Sequence, residues 1–111
     1  MNINEYQTWV SQGASSRYDK LTSMLGLVGE VGEVADVIKK SCIYTDMSKF
    51  IEKYGMSVDE KIIDELGDVL WQYINLLNQY NLSIDVIIET NVQKLTNRHK
   101  GNTVRADGGE R

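Results

Sequence analysis

Two short segments carry carboxylates at a spacing that could do chemistry. Gly29-Glu30-Val31-Gly32-Glu33 and Asp64-Glu65-Leu66-Gly67-Asp68 each offer two acids three residues apart, which puts both side chains on one face of a helix. Two such helices side by side would gather Glu30, Glu33, Glu65 and Asp68. Left unneutralised, each like-charge pair at roughly 5 Å repels by about 3 kcal/mol at an effective dielectric of about 20. A divalent cation makes such a cluster tolerable, and all-oxygen ligands favour Mg²⁺ or Mn²⁺ over zinc. The bland alternative is a solvated helix face, because Glu30 and Glu33 fall opposite the main apolar stripe of their helix. Against it stand Gly26, Gly29 and Gly32, at steps of three inside a helical pattern, and Gly67 between the second pair of acids. Each glycine costs about 1 kcal/mol relative to alanine there, a cost that suits a close approach by backbone or ligand.

Helices must hold these acids, and the apolar periodicity supplies them. Asn2 or Asn4 caps a short helix through Gln12, with Tyr6, Trp9 and Val10 on one side. The stretch Gly13 to Asp19 has loop composition. From Leu21 to Lys40 the residues Leu21, Met24, Leu25, Val28, Val31, Ala35 and Ile38 recur at helical steps, a helix of about five turns. Lys39 and Lys40 suit its negative end or the surface better than a ligand role. Met47 to Tyr54 forms a short helix stopped by Gly55.

Ser57 and Glu60 form a capping box that opens a long helix to Tyr80, with Asn81 as its left-handed cap. Its main stripe is Ile62, Leu66, Val69, Tyr73 and Leu77, with Ile63, Leu70 and Ile74 beside it. Ser83 starts the last helix, with Ile84, Ile87, Ile88 and Leu95 inward and an end near Gly101. Residues 102–111 lack periodicity and are expected to be a mobile tail. The expected fold is all-α: one domain over residues 1–101, built from two long helices, one medium helix and short flanking helices.

Composition narrows the function classes. The 111 residues carry 12 basic and 16 acidic side chains, a net charge of −4. That argues against a nucleic-acid partner, which needs a basic patch. The lone Cys42 allows no internal disulfide and suits a reducing compartment. No apolar run approaches the roughly 20 residues needed to span a bilayer, and the first residues lack signal-peptide character. The expectation is a cytoplasmic protein with neither membrane nor nucleic-acid partner. Proline is absent, so no helix is interrupted by one.

The segment from Gly26 to Asp36 (GLVGEVGEVAD), followed by Lys39-Lys40, resembles the first motif of the MazG-like nucleotide pyrophosphohydrolases. Asp64 to Trp71 (DELGDVLW) resembles their second motif, and Asn91 to Arg98 (NVQKLTNR) their third element. Three elements in order, spanning residues 21 to 101, make this a specific match. The resemblance implies an all-α fold that gathers the acids around Mg²⁺ and cleaves nucleoside triphosphates between the α- and β-phosphates. Carried over by position, the metal ligands are Glu30, Glu33, Glu65 and Asp68. Two departures bear on substrate preference: Gly29 stands where many members carry another acid, and the stretch from Cys42 to Gly55 is longer than in compact members.

Other residues extend this reading. A carboxylate not fully used by metal would take the proton of the attacking water; Glu33 is the candidate, with Glu30 not separable from it. Asn91, Lys94 and Arg98 share one face of the last helix. They either support the site and hold phosphates, or are cations at a helix C-terminus with a buried amide nearby. Trp9, Trp71, Tyr6, Tyr18 and Tyr44 could stack on a base, though core or interface is the ordinary role for each. Trp71, off its helix's stripe, faces either a second interface or a ligand. His99 and Cys42 have no visible catalytic partners. The rival function is a non-catalytic helical module that binds nucleotide or protein, for which clustered acids serve no purpose. A di-iron oxidase is excluded by the lack of E-x-x-H pairs. Apolar residues outside single stripes (Leu27, Val34, Ile63, Trp71 and Ile74) further predict a homodimer or homotetramer.

Overall fold

A computed structural model describes residues 1–14 and 18–100. Part of the expected loop after Gly13, Gly101 and the whole expected tail lie outside the described residues. Five α-helices occur in order: α1 (Ile3–Gly13), α2 (Lys20–Ile43), α3 (Met47–Tyr54), α4 (Val58–Gln79) and α5 (Ile84–Lys100). No strand occurs among the described residues, and no described helix is long and apolar enough to cross a membrane.

The helix ends follow from local chemistry. Asn2 caps α1, accepting from the Glu5 N–H at 2.9 Å while Glu5 accepts from the Asn2 N–H at 3.0 Å. Asp19 caps α2 by accepting from the Thr22 N–H at 2.8 Å. Gly55 ends α3 at φ 72°, a conformation open to glycine at little expense. Ser57 caps α4, with its Oγ accepting from the Glu60 N–H at 3.2 Å. The Glu60 carboxylate accepts from the Ser57 hydroxyl at 3.0 Å rather than from the Ser57 N–H, so only half of the expected capping box forms. Asn81 takes the left-handed cap after α4 at φ 55°. The N–H groups of Leu82 and Asn81 then bond back to the Leu77 and Asn78 carbonyls at 3.0 and 3.1 Å, which is a Schellman closure.

The core joins α1, α4 and the start of α5. Val10, Ile74, Leu77 and Ile84 are buried together, with Ile3, Tyr6, Trp71, Tyr73 and Ile87 packed around them. Gln7 clamps the same corner. Its Nε2 donates to Asn78 Oδ1 at 2.9 Å and to the Leu82 carbonyl at 2.8 Å, and its Oε1 accepts from the Ile84 N–H at 3.1 Å. A smaller aromatic group seats α3, with Phe50 buried between Tyr44 and Tyr54.

The facing of α2 corrects the expectation. Its main apolar stripe is not buried: Leu21, Met24, Leu25, Val28, Val31 and Ile38 are all exposed. The face against α4 is instead Ser23, Gly26, Leu27, Glu30, Val34 and Val37. On α4, Ile74 and Leu77 are buried, while Ile63, Leu66 and Leu70 are exposed. On α5, Ile84 is buried, Ile87 and Leu95 are half-buried and the expected inward Ile88 is exposed. Periodicity identifies an apolar face but not the surface that covers it, and α4 covers the other face of α2.

Candidate functional site

α2 and α4 run antiparallel, and their seam is polar at three successive levels. Asn75 Nδ2 donates to Ser23 Oγ at 2.9 Å, with both side chains buried. Next along the seam, Gly26 faces Gln72, and a Cβ at residue 26 would stand 2.7 Å from Gln72 Oε1. Beyond that, Glu30 of α2 meets Glu65 and Asp68 of α4, one carboxylate oxygen from each lying within 4.8 Å of the others. Leu27 and Val34, one turn to either side of Glu30, are half-buried and hold that carboxylate against α4. The i, i+3 spacing of Glu65 and Asp68 delivers both to the same side of their helix.

The expected close approach at the glycines holds at one position. Gly26 makes room for Gln72, whereas a Cβ at Gly29, Gly32 or Gly67 meets nothing within 4 Å among the described residues. Gln72 Oε1 and Asn75 Oδ1 are buried in this seam with no hydrogen-bond partner among the described residues, so a water or a donor-bearing ligand would satisfy them.

The electrostatics of the acids are those of crowded like charges. Burial, and then the charges of Asp68, Glu65 and Glu33, raise the pKa of Glu30 above its ordinary value. Burial, then Glu65 and Asp64, raise that of Asp68, with Lys61 pulling the other way. Glu65, only 8% exposed, pairs with Lys61 Nζ at 3.0 Å. The phenol of Tyr6 on α1 is also pushed up, first by burial and then by the charge of Asp68, so α1 walls the Asp68 side.

The structure brings together Glu30, Glu65 and Asp68 of the expected ligands. Glu33 is exposed and outside the three-carboxylate group, although its charge reaches Glu30. The third sequence element lies on α5, which packs on α1. There Asn91 is exposed, Lys94 half-buried and Arg98 buried, and the charges acting on Glu30 and Asp68 come from neither Lys94 nor Arg98. Trp71 packs against the Val10–Ile74 core and meets Tyr18 edge-on at 5.6 Å. Lys40 pairs with Asp36 at 2.8 Å. His99 and Cys42 are exposed.

Sequence reasoning missed Lys61, whose signal was present: it stands four residues before Glu65 on one helix face. That spacing is common on solvated helices, so it did not stand out.

An all-oxygen donor set on a two-helix seam suits a hard divalent cation, and comparison with known proteins agrees with that chemistry. The Gene 37 protein of Mycobacterium phage L5 is 34% identical over 90 residues, covering 78% of this chain and 72% of its own length. No solved structure matches. Residues 19–103, which include both acid-bearing helices and the third sequence element, match the MazG nucleotide pyrophosphohydrolase domain. With the acids of its first two motifs meeting across α2 and α4, this chain belongs to the MazG nucleotide pyrophosphohydrolase domain family.

Proposed function

We propose that the chain is a Mg²⁺-dependent nucleoside triphosphate pyrophosphohydrolase. It would cleave (d)NTPs between the α- and β-phosphates, releasing (d)NMP and pyrophosphate, with Mn²⁺ able to replace Mg²⁺. The observation that carries this reading is the convergence of Glu30, Glu65 and Asp68 from two helices within 4.8 Å. Family membership supports the reaction class. Glu30 and Asp68, whose pKa values burial and neighbouring acids raise, stand with Glu65 in a group well suited to a divalent cation, which would neutralise the triphosphate and acidify the attacking water.

The chain's own groups have separate parts. Glu30, Glu65 and Asp68 hold the ion, with Glu33 completing the set from its exposed flank. Glu33 is also our candidate for accepting the water's proton, with Glu30 as the alternative. Lys94 and Asn91 are assigned to the phosphates, with Arg98, buried on α5, behind them, and Trp71 to the nucleoside. Because α5 packs on α1 within the chain, we assign the phosphate-holding α5 to a neighbouring copy.

Self-association is part of this proposal. The apolar stripe of α2, and Ile63, Leu66 and Leu70 of α4, are exposed, and exposed apolar patches mark interfaces. A homodimer or homotetramer would cover these residues. The single cysteine suits a cytoplasmic compartment, and the net charge of −4 argues against a nucleic-acid partner; no membrane partner is part of the reading. Incubating the purified protein with a panel of (d)NTPs and Mg²⁺ tests the reading. Turnover of at least one, abolished by chelator and restored by Mg²⁺ or Mn²⁺, is expected; full activity in excess chelator would contradict it.

A further inference from the structure

Lys61 is an odd residue for its place. It stands in the first turns of α4 (Val58–Gln79), where the helix dipole disfavours a cation. It precedes its partner Glu65 by four residues, the weaker orientation for a helical ion pair. Local helix chemistry therefore gives only a weak reason for a lysine here. The stronger reason is the burial of its partner. Lys61 Nζ is 3.0 Å from Glu65 Oε1 and 3.7 Å from Asp64 Oδ2, and its charge also acts on Asp68.

Glu65 is buried beside two other acids, and a buried charge without a partner is strongly disfavoured. A protein that folds before it meets metal needs an internal counter-ion at this point. Glu65 is also one of the three carboxylates that a divalent cation would take. On release the ammonium has somewhere to go: it already lies 5.6 Å from the centre of the Tyr54 ring, an attractive surface for a cation. The stem of lysine is long and flexible enough to change partner.

We propose that Lys61 is the built-in counter-ion of the acid cluster, bound to Glu65 in the metal-free protein and displaced when a divalent cation binds. It thereby sets the cation concentration needed to load the site. The proposal rests on the reading that Glu30, Glu65 and Asp68 hold such a cation.

Calorimetric titration with Mn²⁺ alone, together with thermal melts in chelator and in Mn²⁺, tests it without any turnover assay. Lys61→Met should bind Mn²⁺ about two- to fivefold more tightly than the original protein, the range of a partly screened ion pair. Its metal-free form should melt lower, and Mn²⁺ should raise its melting temperature by more. Lys53→Met is the control, since Lys53 lies over the same Tyr54 ring at 5.4 Å; its Mn²⁺ affinity should stay near the original. Should Lys61→Met not fold, Lys61→Gln, which keeps a hydrogen-bond donor without the charge, should show the same tightening. Unchanged or weaker Mn²⁺ binding on removing the Lys61 charge would overturn the proposal, as would an equal gain in Lys53→Met. An original protein that binds no Mn²⁺ would overturn the metal reading itself, and this inference with it.

Discussion

Glu30 and Asp68 resist ionisation more than ordinary carboxylates, because burial and neighbouring acids raise both pKa values. Relieving that resistance has a sign that can be checked. Glu30→Gln and Asp68→Asn should each lose most of the metal-dependent turnover, yet raise the melting temperature of the metal-free protein. Glu65→Gln should lose turnover without that gain, since it also strips Lys61 of its partner at 3.0 Å. Melting curves in chelator separate the two patterns, and a lower melting temperature for Glu30→Gln would contradict the repulsion described here. At this scale the pairing of Glu65 with Asp68 was legible, because i, i+3 carboxylates share a helix side, whereas the same spacing did not reveal that Glu33 stands outside the group Glu30 joins. The Gln7 clamp was not, since its partners stand 71 to 77 residues away in the chain, and no local spacing encodes such a contact.

The elements were the most legible part of the sequence, and their caps titrate. Asp19, at the start of α2, is held below the ordinary carboxylate range first by the Thr22 N–H and then by the Thr22 hydroxyl. Asp46, at the start of α3, is lowered by the Ser48 hydroxyl and then by its N–H. Both bind a proton more weakly in the fold than in the unfolded chain. Their contribution is therefore complete above the unfolded value of about 3.9 and is lost as pH falls through the lowered folded values. The pair Asp19→Asn and Asp46→Asn, which caps without titrating, should lose less melting temperature than the original protein on acidification through that window. An identical acid limb would contradict the assignment. Asn2, Gly55, Ser57 and Asn81 were legible as boundaries because caps and left-handed positions are chosen locally. The facing of α2 was not. Its stripe and its acids lie on opposite sides, as the 3.6-residue period requires, but the period does not say which side α4 takes.

The whole molecule is extended for its length. Its radius of gyration is 17.5 Å, against about 13 Å for a compact domain of this length. Val28 and Val31 of α2 remain 56% and 51% exposed. Light scattering should report a multiple of the 12.6 kDa chain mass, and Val28→Lys with Val31→Lys should reduce both that mass and the turnover. If α5 serves a neighbour's site, two inactive variants should rescue each other. Mixing Glu30→Gln chains with Lys94→Met chains should restore part of the activity. An active particle of single-chain mass would contradict the assembly. The sequence predicts an oligomer from apolar residues beyond the single stripes, and the apolar residues of α2 that the fold leaves exposed are mostly those of the main stripe rather than its neighbours Leu27 and Val34.

In the proposed reaction the acid cluster would direct water at the α-phosphorus of a nucleoside triphosphate. Turnover of the best substrate with Mg²⁺ in heavy-oxygen water, followed by mass analysis of both products, tests this most directly. One labelled oxygen in the nucleoside monophosphate and none in the pyrophosphate is expected. Label in the pyrophosphate, or a diphosphate with orthophosphate as the products, would contradict it.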